Sequence, residues 1–469
     1  MSRVGAALLR TWQGRAAVAA LLVMLSISLY VLARYPLDYG PRVWNNPSFW
    51  AEYPKAVPPA WSGAGGEFPH TVLRLRAEQV SQERPAVYEA FLDYEARAPP
   101  NSVTVTVSGV SFSTRPPLIT LRMHRPDGAV ITLLEHVPPG PRPGESPPYQ
   151  RYVDQPLRFF PTASPEVIRD AAAAISEVYG AAVSQEEVSR RPEAWLFSRP
   201  TRTGGPEPLG GRYLFRLELQ RYDPSDGVEE VKLVLGGSVY GAMGTDVLGR
   251  DLAEGLLFGF PVSLFIGLVA ATLVTLIGAG LGLLSGFMGG RTDTLVQRAS
   301  DVTANIPLLP ILILLAYTFR PGLIQVILLL TLFSWPGLAI LVRSMVLQLR
   351  ESPLVESARA LGAPGWRIVI KHIAPNVAPY ILGQVILSVP SAILTEAALS
   401  FIGLGDPQIP TWGGILELAF RTGAVFVGYW WWVVPPGLLL AATSVSFILL
   451  SLSLEPVVNP RLAARRHAP

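Results

Sequence analysis

From Met243 onward, apolar residues gather into long runs parted by short polar breaks, whereas Tyr35 to about Tyr240 holds no run long enough to cross a bilayer. A hydrocarbon core about 30 Å thick needs roughly 20 apolar residues in a helix, because each backbone amide must find its partner within the segment. Six stretches meet that need: Ala16–Ala33, Pro261–Met288, a short one over Val302–Phe319, Leu323–Val342, Val377–Leu399 and Tyr429–Leu454. Arg3, Arg10 and Arg15 precede the first, and Val31-Leu32-Ala33 has the small-residue look of a cleavage site. Its apolar core outruns the ~7 to 15 residues of a signal sequence, so it reads as a retained anchor.

Basic residues set the expected orientation. Arg3, Arg10 and Arg15 lie in the N-terminal tail, Arg291 and Arg298 between the second and third stretches, Arg343, Arg350, Arg359, Arg367 and Lys371 between the fourth and fifth, and Arg461, Arg465 and Arg466 in the C-terminal tail. The opposite short loops offer only Arg320 and Arg421, so both termini are expected in the cytoplasm. Tyr429, Trp430, Trp431 and Trp432 would anchor the sixth stretch at the outer interface. The long connection over 35–243 is then extracytoplasmic. Its first third is rich in proline and tryptophan with little periodicity, but Ser102–Ser113, Leu118–Leu134, Arg212–Tyr222 and Val228–Leu235 alternate as strands do. Asp127-Gly128 marks a hairpin. Ser164–Val188 has helical spacing, with Ser164 as cap and Pro165 in the first turn.

Composition agrees with a membrane protein: 50% of the 469 residues are hydrophobic and 16% charged, against about a quarter charged in soluble chains. The absence of cysteine excludes disulfides, thiolate metal sites and cysteine nucleophiles. The net charge of +3 comes from arginine, the lysines being Lys55, Lys232 and Lys371, and no basic stripe suits a nucleic acid. No G-x-x-x-x-G-K-[ST] occurs, so this chain has no P-loop for a nucleotide. Gly236, Gly237, Gly241 and Gly244 read as a flexible lead into the second stretch. His124 and His136 flank the expected hairpin, but without clustered carboxylates or close ligand spacing they do not make a metal site.

The loop after the fourth stretch is the most informative. Ser352 as cap, Pro353 at the first helical position and Gly362 just past the end predict a helix of about 9 residues, or ~13 Å. Leu354, Ala358 and Leu361 would share one face and Glu356 and Arg359 another. Pro364 then breaks the chain, and Trp366 to Ile373 can form a second short helix before Pro375. An apolar-faced peg flanked by charge is what a partner's groove grips; a plain amphipathic loop on the membrane surface is the alternative.

Glu356-Ser357-Ala358, Gly362 and Pro375 resemble the EAA loop of ABC importer permeases, with Ser357 in place of the usual middle alanine. Three further stretches resemble the C-type subunit of the dipeptide/oligopeptide/nickel branch. These are Gly244-Thr245-Asp246 with Gly249-Arg250-Asp251, Ser334-Trp335-Pro336-Gly337 with Val342-Arg343, and Thr395-Glu396 through Leu399-Ser400-Phe401, Gly403 and Gly405 with Pro410-Thr411-Trp412-Gly413. The resemblance covers 243–460 well and 1–34 loosely, and the long block over 35–243 departs from it.

The apolar runs and the strand alternation predict an all-α polytopic membrane protein of six transmembrane helices, with a β-rich (α+β) extracytoplasmic domain inserted between the first two; the resemblance implies that the helices are of ABC importer permease type. Residues 1–34 would form a tail and first helix, 35–243 the insertion, 244–460 a five-helix core with its coupling loop at 350–375, and 461–469 a tail. It further implies a permease in the bacterial cytoplasmic (inner) membrane, working with a second permease, two ATPase subunits and an extracytoplasmic solute-binding protein. No cofactor is expected in this chain, with ATP and Mg on the partner ATPases. Glu356, Ala358, Arg359, Leu361 and Gly362 would form the ATPase-coupling joint.

Independently of the resemblance, Gln384, Ser388, Ser391 and Thr395 step by 4, 3 and 4 along the fifth stretch and form one polar stripe. It suits either a translocation path or hydrogen bonding between helices. Glu396 is costly in lipid and should face protein or a cavity, either as a fifth residue of the translocation path or in a structural hydrogen bond. Gly278, Gly282 and Gly286 permit close approach of a neighbouring helix. Peptides are the expected solute, with nickel chelates or sugars as alternatives. A membrane-anchored sensor or scaffold is a second reading, and an enzyme acting on peptides or cell-wall material a third, disfavoured by the lack of a recognisable nucleophile, dyad or metal cluster.

Overall fold

A computed structural model describes residues 8–9, 11–63, 65–77, 85–180, 182–201, 205–307, 310–311, 313–314 and 322–458. The chain divides into two compact units, Pro47–Ala253 and a second made of Met1–Asn46 with Glu254–Pro469.

Helix α1, Trp12–Arg34, opens the chain with the Thr11 hydroxyl accepting the Gly14 amide at its start. Within the first unit follow strands β1 (Thr71–Ala77), β2 (Ala86–Tyr94), β3 (Ser102–Phe112), β4 (Leu118–His124), β5 (Val130–His136), β6 (Tyr149–Arg151) and β7 (Leu157–Phe159). Helices α2 (Pro165–Tyr179), α3 (Gln185–Arg190) and α4 (Pro192–Leu196) come next, then a small pair β8 (Ser198–Pro200) and β9 (Pro206–Pro208), and finally β10 (Gly211–Gln220) and β11 (Gly227–Gly236). The main sheet is antiparallel, in the order β5-β4-β10-β2-β1-β11-β3-β6, with β7 also on β3. β1 joins its two halves, pairing with β11 over Thr71–Leu75 and with β2 over Arg76–Ala77.

Period-two alternation builds the core of this unit. On β10, Tyr213, Phe215, Leu217 and Leu219 are fully buried, while Arg216 and Glu218 turn outward and Glu218 pairs with Arg122 of β4 at 3.1 Å. Helix α2 covers β5, where Asp170 accepts the Thr132 amide at 2.6 Å. The hairpin at Asp127-Gly128 forms as expected, Gly128 lying at φ 89° where a Cβ would be strained. Arg125 makes it more than a turn. Its fully buried guanidinium donates to the carbonyls of Trp195, Leu196 and Ser198 and to Asp127, which also accepts from Tyr179. The hairpin thereby pins the α2–α4 insertion to the sheet. Two expectations need correction: β1 and β2 lie where little periodicity was expected, and the Ser164 side chain makes no capping hydrogen bond.

The second unit is helical. It holds α1, most of α5 (Leu252–Met288), and α6 (Gly290–Asn305), α7 (Leu323–Arg350), α8 (Pro353–Ala360), α9 (Ala374–Phe401), α10 (Trp412–Arg421) and α11 (Trp430–Val458). Five helices among the described residues are long and apolar enough to cross a membrane: Trp12–Arg34, Leu252–Met288, Leu323–Arg350, Gly365–Phe401 and Trp430–Leu454. Of the expected third span, Val302–Phe319, residues 302–305 finish α6 and the chain is extended at Ile306, while residues 308–309, 312 and 315–319 lie outside the described residues, as do Arg3, Arg10, Arg320, Arg461, Arg465 and Arg466.

The glycine stripe of α5 is a contact seam. A Cβ on Gly278, Gly282 or Gly286 would come within 3.0 Å of α7 atoms, at Trp335, at Ala339 and Val342, and at Arg343 and Val346. α7 runs on to Arg350, so Arg343 and Arg350 are helical and not in the loop where the sequence placed them. Arg343 is held there by a bidentate bond to Asp293 of α6, 2.5 and 2.6 Å, and this pairing keeps the Asp293 carboxyl below the usual carboxylate range. Residues 35–46 lie across the start of α5: Tyr39 donates to Glu254 at 2.5 Å and stacks on Phe258, and a Cβ on Gly255 would strike the Trp44 ring.

Candidate functional site

The expected peg is α8. Ser352 precedes it with extended backbone, but the hydroxyl donates back to the Leu349 carbonyl and does not cap the helix. The far end is closed by a Schellman arrangement: the Ala363 amide reaches the Ala358 carbonyl, the Gly362 amide reaches that of Arg359, and Gly362 sits at φ 78°. Eight residues make it about 12 Å long.

Its faces differ from the expected ones. Val355 and Ala358 turn inward, packing with Ile368, Ile373 and Val377, whereas Leu354 and Leu361 are 52% and 88% exposed. The i, i+4, i+7 count picked the larger side chains, but the helix settles on its own unit through the i, i+3 pair, because small Ala358 lets the backbone approach. Glu356 and Arg359 are exposed, and the Arg359 guanidinium lies 5.8 Å from the Phe287 ring at the end of α5. α8 is thus clamped on one side and presents leucine and charge on the other.

Beyond Pro364 no separate short helix forms. Gly365–Ile368 passes through a π-helical stretch at Val369–Ile373 directly into α9, giving one rod from Gly365 to Phe401. Pro375 lacks an N–H and its ring crowds the preceding turn; a wider turn there makes room for both.

Of the expected path residues, Gln384, Ser388 and Thr395 are half-buried and Ser391 is exposed, and the Thr395 hydroxyl donates to the Ser391 carbonyl at 2.8 Å. Glu396 does not join them. It is 3% exposed, accepts from the Ser400 hydroxyl at 2.6 Å and bonds Thr411. Around it the end of α9 and the start of α10 are knitted tightly: a Cβ on Gly405 or Gly413 would strike Ser400, and fully buried Trp412 donates its indole N–H to the Leu256 carbonyl at 2.9 Å. That carbonyl belongs to the turn of α5 leading into Pro261.

The Gly244–Asp251 stretch is a similar knot in the other unit. Buried Asp246 accepts the amides of Leu248 and Arg250 and pairs with the Arg250 side chain at 2.5 Å, and a Cβ on Gly249 would lie 2.9 Å from the Trp50 carbonyl. Asp251 accepts the Ala253 amide at the first turn of α5. His124 faces Val130 and His136 faces Ile119 across the β4–β5 ladder, so the two histidines stand roughly five residues, or ~17 Å, apart. His136 bonds the Tyr152 hydroxyl, and no cluster of three metal-ligating side chains occurs among the described residues.

The family described as binding-protein-dependent transport system inner membrane component matches residues 278–464. The dipeptide transport system permease protein DppC of Bacillus subtilis is 36% identical over 220 residues, 47% of this chain and 68% of that protein. The oligopeptide transport system permease protein OppC of the same organism is 43% identical over 171 residues, 36% of this chain and 56% of that protein. The glutathione transport system permease protein GsiD of Pectobacterium atrosepticum is 33% identical over 54% of this chain and 81% of its own length. Among solved structures, an inward-facing MetNI methionine ABC transporter shares 20% identity at a TM-score of 0.37, over 44% of this chain and 98% of that one, too loose a likeness to carry an argument. With a relative at this identity matched over two thirds of its length, and the family's own match running from the glycine seam through the peg to the last helix, the chain belongs to the inner membrane components of binding-protein-dependent transport systems.

Proposed function

We propose that this chain is a pore-forming permease subunit of an ATP-driven, binding-protein-dependent importer of peptides. Its partners are a second homologous permease, two ATPase subunits that bind ATP and Mg, and an extracytoplasmic solute-binding protein. Both termini and α8 face the cytoplasm, and the sheet unit lies outside. The observation that carries this reading is the two-sidedness of α8: Val355 and Ala358 seat it on its own unit, with Arg359 over the Phe287 ring, while Leu354, Glu356 and Leu361 are left for another protein and the exposed Arg359 adds its charge beside them. A short helix clamped to the end of α5 and joined by the tight 361–364 turn to the rod Gly365–Phe401 transmits displacement of a bound ATPase to the spans, the mechanical requirement of alternating access. The stripe Gln384, Ser388, Ser391 and Thr395 lines the path, and Glu396 supports it from behind by fixing the end of α9. The peptide-type names of the relatives favour peptides over nickel chelates or sugars.

The test is Gly362→Val in the reconstituted complex. A β-branched side chain at φ 78° is strained and opens the C-terminal closure of α8. Uptake coupled to ATP falls while the chain remains in the membrane; intact coupled uptake with unchanged ATPase association refutes the coupling role.

A further inference from the structure

Gly290, Arg291, Thr294, Leu295 and Arg298 border a shallow, largely solvent-open groove along α6. The last four recur at i, i+3, i+4 and i+7, so they share one helix face. The opposite face is committed to its own unit: Val296 packs with Trp335 and Ala339, Ser300 is buried, and Asp293 is bound by Arg343. Among the described residues the groove face keeps no such partner. Leu295 is 72% exposed, and Arg291 and Arg298 are exposed and make no ion pair among the described residues. Of the carboxylates on α6, Asp293 is engaged and Asp301, exposed one turn beyond Arg298, pairs with neither arginine. The Thr294 hydroxyl turns back to the Gly290 carbonyl at 3.1 Å, leaving recognition to the two guanidinium groups.

Location narrows what the groove would take. The membrane-spanning helix α5 ends at Met288 and α6 begins at Gly290, so the groove opens beside the end of a span, where lipid headgroups lie. The two arginines are about 10 Å apart along the helix, within reach of a common point for side chains that extend toward the interface. We propose that this groove binds the headgroup of an anionic phospholipid, Arg291 and Arg298 clasping its phosphate and Leu295 meeting the alkyl part below. Guanidinium donors match phosphate oxygens in forked geometry, and basic pockets beside membrane helices select anionic headgroups. An acidic segment of a soluble protein would satisfy the charges but leave Leu295 unmatched.

The test uses the purified full chain in detergent micelles, offered phosphatidylglycerol and phosphatidylcholine with identical acyl chains and read by native mass spectrometry. At about fivefold per arginine, the wild type retains phosphatidylglycerol over phosphatidylcholine by roughly thirty-fold, and R291Q/R298Q falls to within about twofold of parity. R291K/R298K keeps the charges and a preference of at least about fivefold. R421Q, which removes an exposed arginine of α10, leaves the preference unchanged. Far-UV circular dichroism of each variant separates loss of the site from loss of the fold. Parity in the wild type, or a preserved preference in R291Q/R298Q, overturns the assignment. So does retention of poly-glutamate in place of phosphatidylglycerol, which identifies an acidic protein segment as the occupant.

Discussion

Replacing Gly282 by alanine isolates what the α5–α7 seam contributes. The new Cβ would stand 2.6 Å from the Ala339 carbonyl oxygen and 2.8 Å from Val342 Cβ, where non-bonded carbon contacts settle near 3.5–4.0 Å. Backbone on one side and a β-branched stem on the other leave no flexible end to give way, so the helices must part. Overpacking of this kind costs about 1–3 kcal/mol, partly offset by the ~1 kcal/mol that alanine gains over glycine in a helix. Gly280 supplies the control: on the same helix, an added Cβ there meets nothing within 4 Å, so Gly280→Ala takes the gain without the clash. The propensity cancels between the two variants, leaving G282A less stable than G280A by about 1–3 kcal/mol, or roughly 5- to 150-fold in the unfolding equilibrium. Reversible dodecyl-sulfate unfolding of the full chain in mixed micelles, followed by far-UV circular dichroism, measures it. Equal stability of the two variants would show that α5 and α7 do not meet at this seam.

Three further outcomes follow from paired charge. Arg125→Met strands the Asp127 carboxylate and the carbonyls of Trp195, Leu196 and Ser198, and should cost about 3–5 kcal/mol, read as lost hydrogen-exchange protection over 125–129 and 192–198. Burial pushes the Asp127 carboxyl up, but the Arg125 guanidinium, the Ala129 amide and the Tyr179 hydroxyl outweigh it and hold it below the usual carboxylate range. A depressed carboxylate contributes stability that is complete above its unfolded pKa near 4 and is lost as pH falls through the folded value, so the same protection declines only below about pH 4. Asp293→Asn removes the bidentate acceptor of Arg343 and should lower resistance to dodecyl sulfate by about 1.5–3 kcal/mol.

Five of the six expected spans were legible because an apolar run is a local property that no tertiary contact has to create. Where tertiary context decided, the sequence was a poorer guide. β1 carries its alternation openly, Leu73 and Leu75 against Arg74 and Arg76, but it spans only seven residues in a segment crowded with proline and tryptophan, where so short a pattern does not stand out. The rod from Gly365 to Phe401 hid behind Pro375, because a proline signals a break unless the backbone widens to a π turn around it. Arg343 read as a loop residue until Asp293, fifty positions earlier, supplied the acceptor that lets it stay on a helix.

The motifs that carry the family resemblance separate, on burial, into two kinds. Asp246, Gly249 and Arg250, and likewise Ser400, Gly405, Trp412 and Gly413, are enclosed by their own unit, and their identities are dictated by close contact and internal hydrogen bonding. Those residues need no ligand to explain them. The peg behaves otherwise. Val355 at 1% exposure satisfies the fold, whereas Leu361 at 88% forgoes a burial contribution of about 1.5–3 kcal/mol that the isolated chain never recovers. A leucine held outward at the end of a closed, glycine-terminated helix is therefore a place where this chain is incomplete by itself, and Leu361→Glu should abolish ATPase association while leaving dodecyl-sulfate resistance of the free chain unchanged. If that variant still assembles, the docking face lies elsewhere on the unit and α8 is only a connector.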